Sequence, residues 1–152
     1  MPDTLNLHAD CAEIFAQTAF FADLTSQQIG QISRLGRIEQ HSQGSNIYGL
    51  GEPAADFYVL VSGMVRFTIG LGNRQTQAGQ ILKRGEVFGW AALVESEQKR
   101  IAGALAITAC TVAAINGDQL LILMDQDHTL GYRIMKQLNV LITGNLTAFA
   151  SG

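Results

Sequence analysis

The chain has 152 residues, of which 47% are hydrophobic and 15% are charged, and its formal net charge is −3. This composition is typical of a folded globular domain and excludes a disordered chain. The slightly acidic balance does not provide the basic surface that nucleic-acid-binding proteins use. No apolar run is long enough to cross a membrane, and the N-terminus lacks a secretory pattern. We therefore expect a single cytoplasmic domain that binds neither DNA nor a membrane.

Cysteines and histidines are few and scattered. The cysteines are Cys11 and Cys110, and the histidines are His8, His41 and His128. They do not form a disulfide framework, and none is spaced as paired metal ligands are. No metal site is predicted. Cys110 lies in an apolar run and is predicted to be a small core residue.

The first 35 residues predict two helices. Apolar residues from Ala12 to Phe21 form one face of a short helix. Thr25 and Gln28 have the spacing of a capping box, which predicts a second helix ending at Leu35. Both helices could simply cover an open end of the following sheet, or they could move when a ligand binds.

From Gly36 onward the hydrophobic period changes from helical to alternating, which predicts β-strands. Glycines and an Asn-Gly pair separate short apolar runs as turns. Eight short strands at close spacing predict a small two-sheet roll or barrel. The predicted strands are residues 37–41, 46–48, 56–61, 64–69, 75–82, 87–88, 104–109 and 111–115.

After Gly117 the period becomes helical again. A short helix is predicted from about Asp118, and a longer one from about Asp127 to Phe149. The long helix carries two adjoining apolar stripes. One consists of Ile134, Leu138 and Leu141, and the other of Met135, Ile142, Leu146 and Phe149. One stripe is enough to pack on the sheet, so the second favours a further contact, although one wide core-facing surface is the alternative.

The segment from Val87 to Ala106 has the properties of a phosphate cradle. Phe88-Gly89 ends an apolar strand, and residues 90–93 are long enough for one helical turn. The first N–H groups of such a turn are unpaired and suit an anion. A polar loop over 94–99 then brings in Arg100, whose planar, permanently charged fork matches phosphate. Arg100 could instead pair with Glu95 or Glu97 as an exposed ion pair, which would contribute little.

This segment resembles the phosphate-binding cassette of the cyclic nucleotide-binding domain, as found in the Crp/Fnr (cyclic-AMP receptor protein) family. The positions that match are Phe88, Gly89, Ala92, Leu93, Arg100, Ala102, Ala104 and Ala106. Upstream, residues 51–63 resemble the family's other signature, Gly-acidic-x-small followed by an apolar run and Gly. Residues 85–89 resemble the usual approach to the cassette. The resemblance extends over about residues 14–149.

The resemblance implies a mainly β fold, a double-stranded β-helix or jelly roll with N-terminal helices and a long C-terminal dimerisation helix. One domain would span 1–152, with helices at about 10–35, the roll at about 36–116 and the last helices at about 118–149. It implies a non-enzymatic, ligand-sensing domain that binds cyclic AMP, cyclic GMP or another small phosphorylated effector. The implied ligand-binding residues are Phe88, Gly89, Trp90, Ala91, Ala92, Leu93, Arg100, Ile101, Ala102 and Asn145.

Two cassette positions depart from the family pattern. Trp90 stands where the family has a glutamate that accepts a bond from the ribose hydroxyl, and indole has no acceptor. Ile101 cannot donate to a phosphate oxygen. Each lost bond to a charged group is worth roughly 1.5–3 kcal/mol, so the two together would weaken cyclic nucleotide binding by on the order of a hundredfold. Trp90 could instead stack on another ligand or seal an empty pocket.

The sequence leaves several alternatives open. Asn145 could reach the base of a nucleotide, as the family's last helix does, or set the register of a dimer. The chain could be the sensor portion of a longer regulator, or a stand-alone homodimer that signals to another protein, since it carries no DNA-reading helix-turn-helix. A degenerate dimerisation or interaction module is the main alternative function. An enzyme on a similar roll, such as a cupin, would need clustered metal ligands, which the sequence lacks.

Overall fold

The computed structural model describes residues 7–71, 74–94 and 98–151, and for 7–10, 71, 75, 78 and 145–151 it describes the backbone alone. The helices are α1 (Leu7–Ala16), α2 (Ser26–Ser33), α3 (Gly117–Gln126) and α4 (His128–Ser151), with 3₁₀ turns at Ala19–Phe21 and Trp90–Leu93. The strands are β1 (Gly36–His41), β2 (Asn46–Tyr48), β3 (Asp56–Ser62), β4 (Val65–Leu71), β5 (Arg74–Leu82), β6 (Val87–Phe88), β7 (Gly103–Ala106) and β8 (Cys110–Asn116). None of the helices described is both long and apolar enough to span a membrane.

The strands form two four-stranded sheets, with orders β1-β8-β3-β6 and β2-β7-β4-β5. All pairings are antiparallel. The prediction of a mainly β, two-sheet roll with helices at both ends of the chain is therefore confirmed.

Alternation along the first sheet divides the buried side chains into two clusters. In β3, Phe57 and Val59 face the helices, whereas Tyr58 and Leu60 face the second sheet. We call the buried residues between the helices and the first sheet the helix-side cluster; its largest side chains include Phe15, Phe21, Phe57, Leu93, Ile115, Leu120 and Ile134. We call those between the sheets the roll-interior cluster: Tyr48, Tyr58, Leu60, Val65, Phe88, Ala104, Ala106, Cys110, Val112 and Ala114.

The N-terminal helix differs from the prediction. A single helix over 12–21 is wrong, because α1 already ends at Ala16 and a 3₁₀ turn follows at Ala19–Phe21. Thr18 causes the break: its backbone is extended, with φ −87° and ψ 124°, and its Oγ1 donates to the carbonyl of Ile14 at 2.7 Å. The capping box of Thr25 and Gln28 is confirmed, with both reciprocal bonds formed.

The strand predicted to reach residue 109 also differs, because β7 ends at Ala106. The next residues cross from the second sheet to the first, and two hydrogen bonds join them to the turn before β4. The N–H of Ile107 donates to the carbonyl of Met64 at 2.9 Å, and the Thr108 hydroxyl accepts from the N–H of Met64 at 3.0 Å. The apolar run over 104–109 thus continues through the corner between the two sheets. Alternation of apolar and polar residues does not mark this corner.

The start of α3 lies one residue earlier than predicted. Asn116 was expected in a turn, but its side chain accepts from the N–H of Gln119 at 3.0 Å and caps the helix. Asp127 does the same for α4, since its Oδ1 accepts from the N–H of Leu130 at 3.1 Å.

The two stripes of α4 have different environments. Ile134 and Leu138 are buried in the helix-side cluster, as predicted for the first stripe. In the second stripe Met135 is 40% exposed, whereas Ile142 is half-buried and packs on the helix-side cluster. The side chains of Leu146 and Phe149 lie outside the described residues. The second contact of α4 therefore stays a prediction.

Candidate functional site

The cassette turn, Trp90–Leu93, begins after Gly89. The backbone of Gly89 has a conformation that residues with a side chain adopt only with strain. Gly89 caps the turn with φ 81° and ψ 32°, in the left-handed region. A Cβ atom on Gly89 would lie 3.0 Å from the carbonyl oxygen of Asp56, 3.0 Å from the Tyr58 ring and 3.2 Å from Nη1 of Arg100. The backbone therefore passes close to β3, and the predicted one-turn helix is confirmed.

The back of the cassette turn packs on the C-terminal helices. Leu93 is fully buried in the helix-side cluster, and Ala92 is 3% exposed. At the first residue of α3, a Cβ atom on Gly117 would lie 2.3 Å from the carbonyl oxygen of Ala92. This contact leaves no free space, so a displacement of the cassette turn must also displace α3.

The two sequence motifs meet in the structure. The N–H of Arg100 donates to the carbonyl of Glu52 at 2.8 Å, and the N–H of Gly51 donates to the carbonyl of Arg100 at 2.9 Å. Next to them, Pro53 and Lys99 form an isolated antiparallel bridge. The Gly51–Gly63 signature thus holds the end of the cassette loop beside the roll.

The Arg100 side chain is buried, with 4% of the residue exposed. Its Nη1 donates to the carbonyl of Gly89 at 2.9 Å, and its Nη2 donates to the carbonyl of Asp56 at 2.5 Å. Its Nε is buried and has no hydrogen-bond partner within the described ranges of the chain. The guanidinium carbon lies 4.0 Å from the centre of the Tyr48 ring, which is cation–π geometry.

Arg100 forms no ion pair within the described part of the chain. The carboxylate of Asp56 is paired with Arg37, whose Nη2 lies 2.6 Å from Oδ2 of Asp56. Arg100 is therefore bonded to Asp56 only through the backbone carbonyl. Glu95 and Glu97, the sequence-predicted ion-pair partners of Arg100, lie outside the described residues. An exposed loop arginine is excluded, because the side chain is buried.

Three aromatic rings form a column beneath Arg100. Tyr58 stacks on Phe88 with ring centres 5.0 Å apart and planes at 14°, and on Tyr48 at 5.9 Å and 25°. Burial raises the pKa of Tyr48 well above its usual range, although the Arg100 charge and a hydrogen bond with the Gly89 backbone oppose the rise. Burial, together with the Asp56 and Glu39 charges, raises the pKa of Tyr58 to about 12. Both hydroxyls are therefore neutral near pH 7, and the Arg100 guanidinium is the charged group at this position.

A cavity of about 40 Å³ lies beside the guanidinium. Its lining consists of Tyr48, Phe67, Gly89, Trp90, Ala91, Arg100, Ile101 and Ala102. The structure thus brings together six of the sequence-predicted site residues. Among the others, Phe88 belongs to the ring column, Ala92 and Leu93 face away from the cavity into the protein, and the Asn145 side chain lies outside the described residues.

A larger cavity of about 450 Å³ lies between β5, the approach to β6 and α4. It is lined by residues of these elements and of the 3₁₀ turn at Ala19–Phe21, with Gln137, Val140, Leu141 and Gly144 contributed by α4. Phe67 of β4 lines both cavities, so they adjoin at this side chain. The small cavity therefore holds the charge, whereas the large one borders the last helix.

Sequence reasoning missed Tyr48 and Phe67 as lining residues. Both lie on strands that were predicted with nearly correct bounds, but no motif marks them. Alternation could have placed Phe67 and Val65 on one face of β4, and pairing with β7 could then have placed Tyr48 opposite. Such a register needs the three-dimensional order of the strands.

Comparison with known proteins identifies the family. The model of the cyclic nucleotide-binding domain matches residues 38–127. The chain belongs to this family. The cyclic nucleotide-binding domain is 29% identical over 91 residues to the cGMP-dependent protein kinase egl-4 of Caenorhabditis briggsae, and this match covers 59% of the chain and 12% of the kinase.

Solved structures share the fold of the cyclic nucleotide-binding domain. The sensor domain of the transcriptional regulator DNR from Pseudomonas aeruginosa superimposes with a TM-score of 0.75 at 15% identity, covering 93% of this chain and 95% of that one. The catabolite activator protein of Thermus thermophilus gives 0.70 at 23% identity, covering 84% and 58%. The regulatory domain of Toxoplasma gondii PKA, crystallised with cAMP, gives 0.73 at 19% identity, covering 94% and 51%. The predicted family and fold are confirmed.

Proposed function

We propose that the domain is a non-catalytic cytoplasmic sensor whose effector is a small anion held by Arg100, either a cyclic nucleotide or another small anionic compound. The main support is Arg100: the residue is 4% exposed, and among the described residues its Nε has no hydrogen-bond partner and no carboxylate is paired with its guanidinium. A buried charge without an opposite charge is costly, and an anion in the adjacent cavity would offset that cost.

The predicted site residues would have different roles around the anion. Arg100 supplies charge and a donor, and the first N–H groups of the cassette turn add partial positive charge. Trp90, Ile101 and Ala102 form walls of the cavity, together with Gly89 and Ala91. Phe88, Ala92 and Leu93 support the turn from behind. Asn145, proposed from the sequence and the family alone, would approach from α4.

Binding is tested by calorimetry and thermal shift with cyclic AMP, cyclic GMP, inorganic phosphate and formate. A ligand that binds only the folded state raises the unfolding midpoint as its concentration rises. Arg100→Ala and Arg100→Lys should weaken binding by at least about tenfold, because neither keeps the planar fork. Arg34→Ala, at an exposed position after α2, is the matched control and should bind as the wild type does.

If no anion binds to folded protein, the sensor proposal is wrong, and a dimerisation or interaction module becomes the better explanation. If binding persists unchanged in Arg100→Ala, the anion site lies elsewhere.

We further propose that α4 forms a homodimer with a second copy of the chain. Tyr132, Met135, Asn139 and Ile142 follow a 3-4-3 spacing, which is that of a coiled-coil seam. Tyr132 is 65% exposed and Met135 40%, so part of each side chain is open to a second copy, while Ile142 packs on the helix-side cluster. Asn139 interrupts the seam as a polar residue that can pair with its copy across a twofold axis.

Sedimentation equilibrium tests the dimer. Met135→Glu places a charge in the seam and should weaken association by about a hundredfold or more, since two glutamates would face each other. Ile122→Glu changes a 56% exposed residue on α3 and is the control for a generic effect of an added charge. A wild type that is monomeric at the highest measurable concentration would contradict the dimer.

The output of the sensor would pass from the cassette turn through α3 to α4, because Gly117 of α3 lies directly against Ala92. The chain spans 12% of the kinase and 58% of the Thermus protein. The receiver of the signal would be another protein or another part of a longer chain. The surface that changes would be the exposed part of the α4 seam, Tyr132, Met135 and Asn139.

A further inference from the structure

The cavity beside Arg100 is much smaller than a usual ligand site. Sites for drug-sized ligands usually enclose roughly 300–1,000 Å³. The cavity beside Arg100 has about 40 Å³. It has room for a group of a few atoms, and a whole nucleotide would have to extend beyond it.

Tyr48 is the largest side chain that reduces this space from inside the roll. It is 7% exposed, and its ring lies between the guanidinium of Arg100, 4.0 Å away, and the ring of Tyr58, 5.9 Å away. Tyr48 is paired with Ala104 across β2 and β7, so no large neighbour would fill the space if the ring were absent. The ring also fixes the direction of Arg100, because one face of the guanidinium rests on it.

The other walls limit the cavity less. Ala91 and Ala102 have small side chains, Ile101 is 63% exposed, and Trp90 is half-buried and packs on the helix-side cluster. The exposed side chain of Ile101 can move towards solvent when a ligand enters. Tyr48 cannot, because β2 and the stacked rings enclose it.

We infer that Tyr48 is the specificity-determining residue of the site: its ring confines the cavity to an anion of a few atoms, and removing the ring admits the phosphate and sugar of a cyclic nucleotide. This inference rests on the proposed anion site at Arg100. It goes further by naming the ligand class that the wild type accepts, a compact anion such as formate or nitrate, and the residue that excludes larger ones.

Trp90 is the only tryptophan of the chain and lines the cavity, so its fluorescence reports on binding directly. Formate and cyclic AMP are titrated separately into the wild type, Tyr48→Val and Tyr48→Phe, with calorimetry as the second readout. Valine removes the ring and keeps a residue that suits a strand. Phenylalanine keeps the ring and removes the hydroxyl, so it is the matched control.

We expect the wild type and Tyr48→Phe to respond to formate and not to cyclic AMP. Tyr48→Val should gain affinity for cyclic AMP by at least about tenfold. Adding Arg100→Ala to Tyr48→Val should abolish that gain, since the phosphate would lose its counter-charge. Circular dichroism and the unfolding midpoint establish that each variant is folded.

Two results would overturn the inference while the proposed function stands. One is tight, Arg100-dependent binding of cyclic AMP to the wild type. The other is a folded Tyr48→Val that binds formate through Arg100 and gains nothing for cyclic AMP. If Tyr48→Val does not fold, the preference of the wild type for formate over cyclic AMP decides the size claim. If no anion binds to any folded variant, the proposed function itself is wrong.

Discussion

The two buried clusters of the domain differ in what they contain. The helix-side cluster consists of apolar side chains, with Phe15, Ile115 and Leu120 among those fully buried. The roll-interior cluster combines alanines with three stacked rings, and the Arg100 guanidinium rests on it. Both clusters share the first sheet, whose strands alternate between them. The difference teaches that one face of this sheet serves stability, while the other encloses a charge and a cavity.

The largest expected effect comes from the helix-side cluster. Phe15 is fully buried and packs edge-to-face on Phe21, with ring centres 5.3 Å apart. Phe15→Ala should lower the free energy of unfolding by about 3–5 kcal/mol, because it leaves a cavity that the helices cannot close. Urea denaturation measures the loss. A change below about 1 kcal/mol would show that α1 is not part of the cooperative core.

Two glycine variants distinguish the stability cost of backbone strain from the stability cost of a close contact beside the roll interior. Gly44 and Gly89 have nearly the same φ, 82° and 81°, but a Cβ atom meets nothing within 4 Å at Gly44. Gly44→Ala should therefore cost only the left-handed strain, about 1–2 kcal/mol. Gly89→Ala should cost about 1–3 kcal/mol more, since its Cβ would press on the Asp56 carbonyl and on Arg100. Equal losses in urea denaturation would mean that the contact relaxes freely.

Arg100→Met tests whether the buried charge serves stability or binding. The variant loses two hydrogen bonds and the ring contact, but it also removes the cost of burying a charge. We expect the free energy of unfolding to fall by only about 1–2 kcal/mol, while anion binding is lost. A loss as large as that of Phe15→Ala would make Arg100 a structural residue and remove the contrast between the clusters.

The smallest expected effect is a pH dependence that belongs to the roll interior. The pKa of Tyr58 is raised from 10.0 to about 12, so the unfolded chain releases this proton first as the pH rises. The unfolded state then binds fewer protons than the folded one, and stability must fall between about pH 10 and pH 12. Tyr58→Phe should reduce the slope of the unfolding free energy against pH. Tyr132→Phe, at a ring that is 65% exposed, is the control.

Most element bounds follow from local patterns. The strands β2 and β6 have the predicted bounds, because glycines and alternation mark both ends. The capping box at Thr25 is equally local and was also predictable. The errors occur where tertiary contacts override the pattern, as at Thr18, which breaks a continuous apolar run, and at residues 107–109, which cross between the sheets.

The candidate site was predicted in part for the same reason. Gly89, Trp90 and Arg100 lie in one motif, and local physics already indicates an anion at such a turn. The sequence could not show that Arg100 donates to the carbonyls of Gly89 and Asp56, because these bonds join residues 11 and 44 positions apart. Nor could it show that the Tyr48 ring lies against the guanidinium.

Composition, alternation and two motifs thus were enough to establish the class of fold, its family and the segment that carries the site, because each depends on neighbours along the chain. The size of the cavity, the unpaired Nε of Arg100 and the division of the first sheet between two clusters depend on the order and register of strands that are far apart in sequence. Those properties decide which anion fits. They exist only once the two sheets face each other, since the guanidinium is contributed by the cassette loop and the ring beneath it by β2.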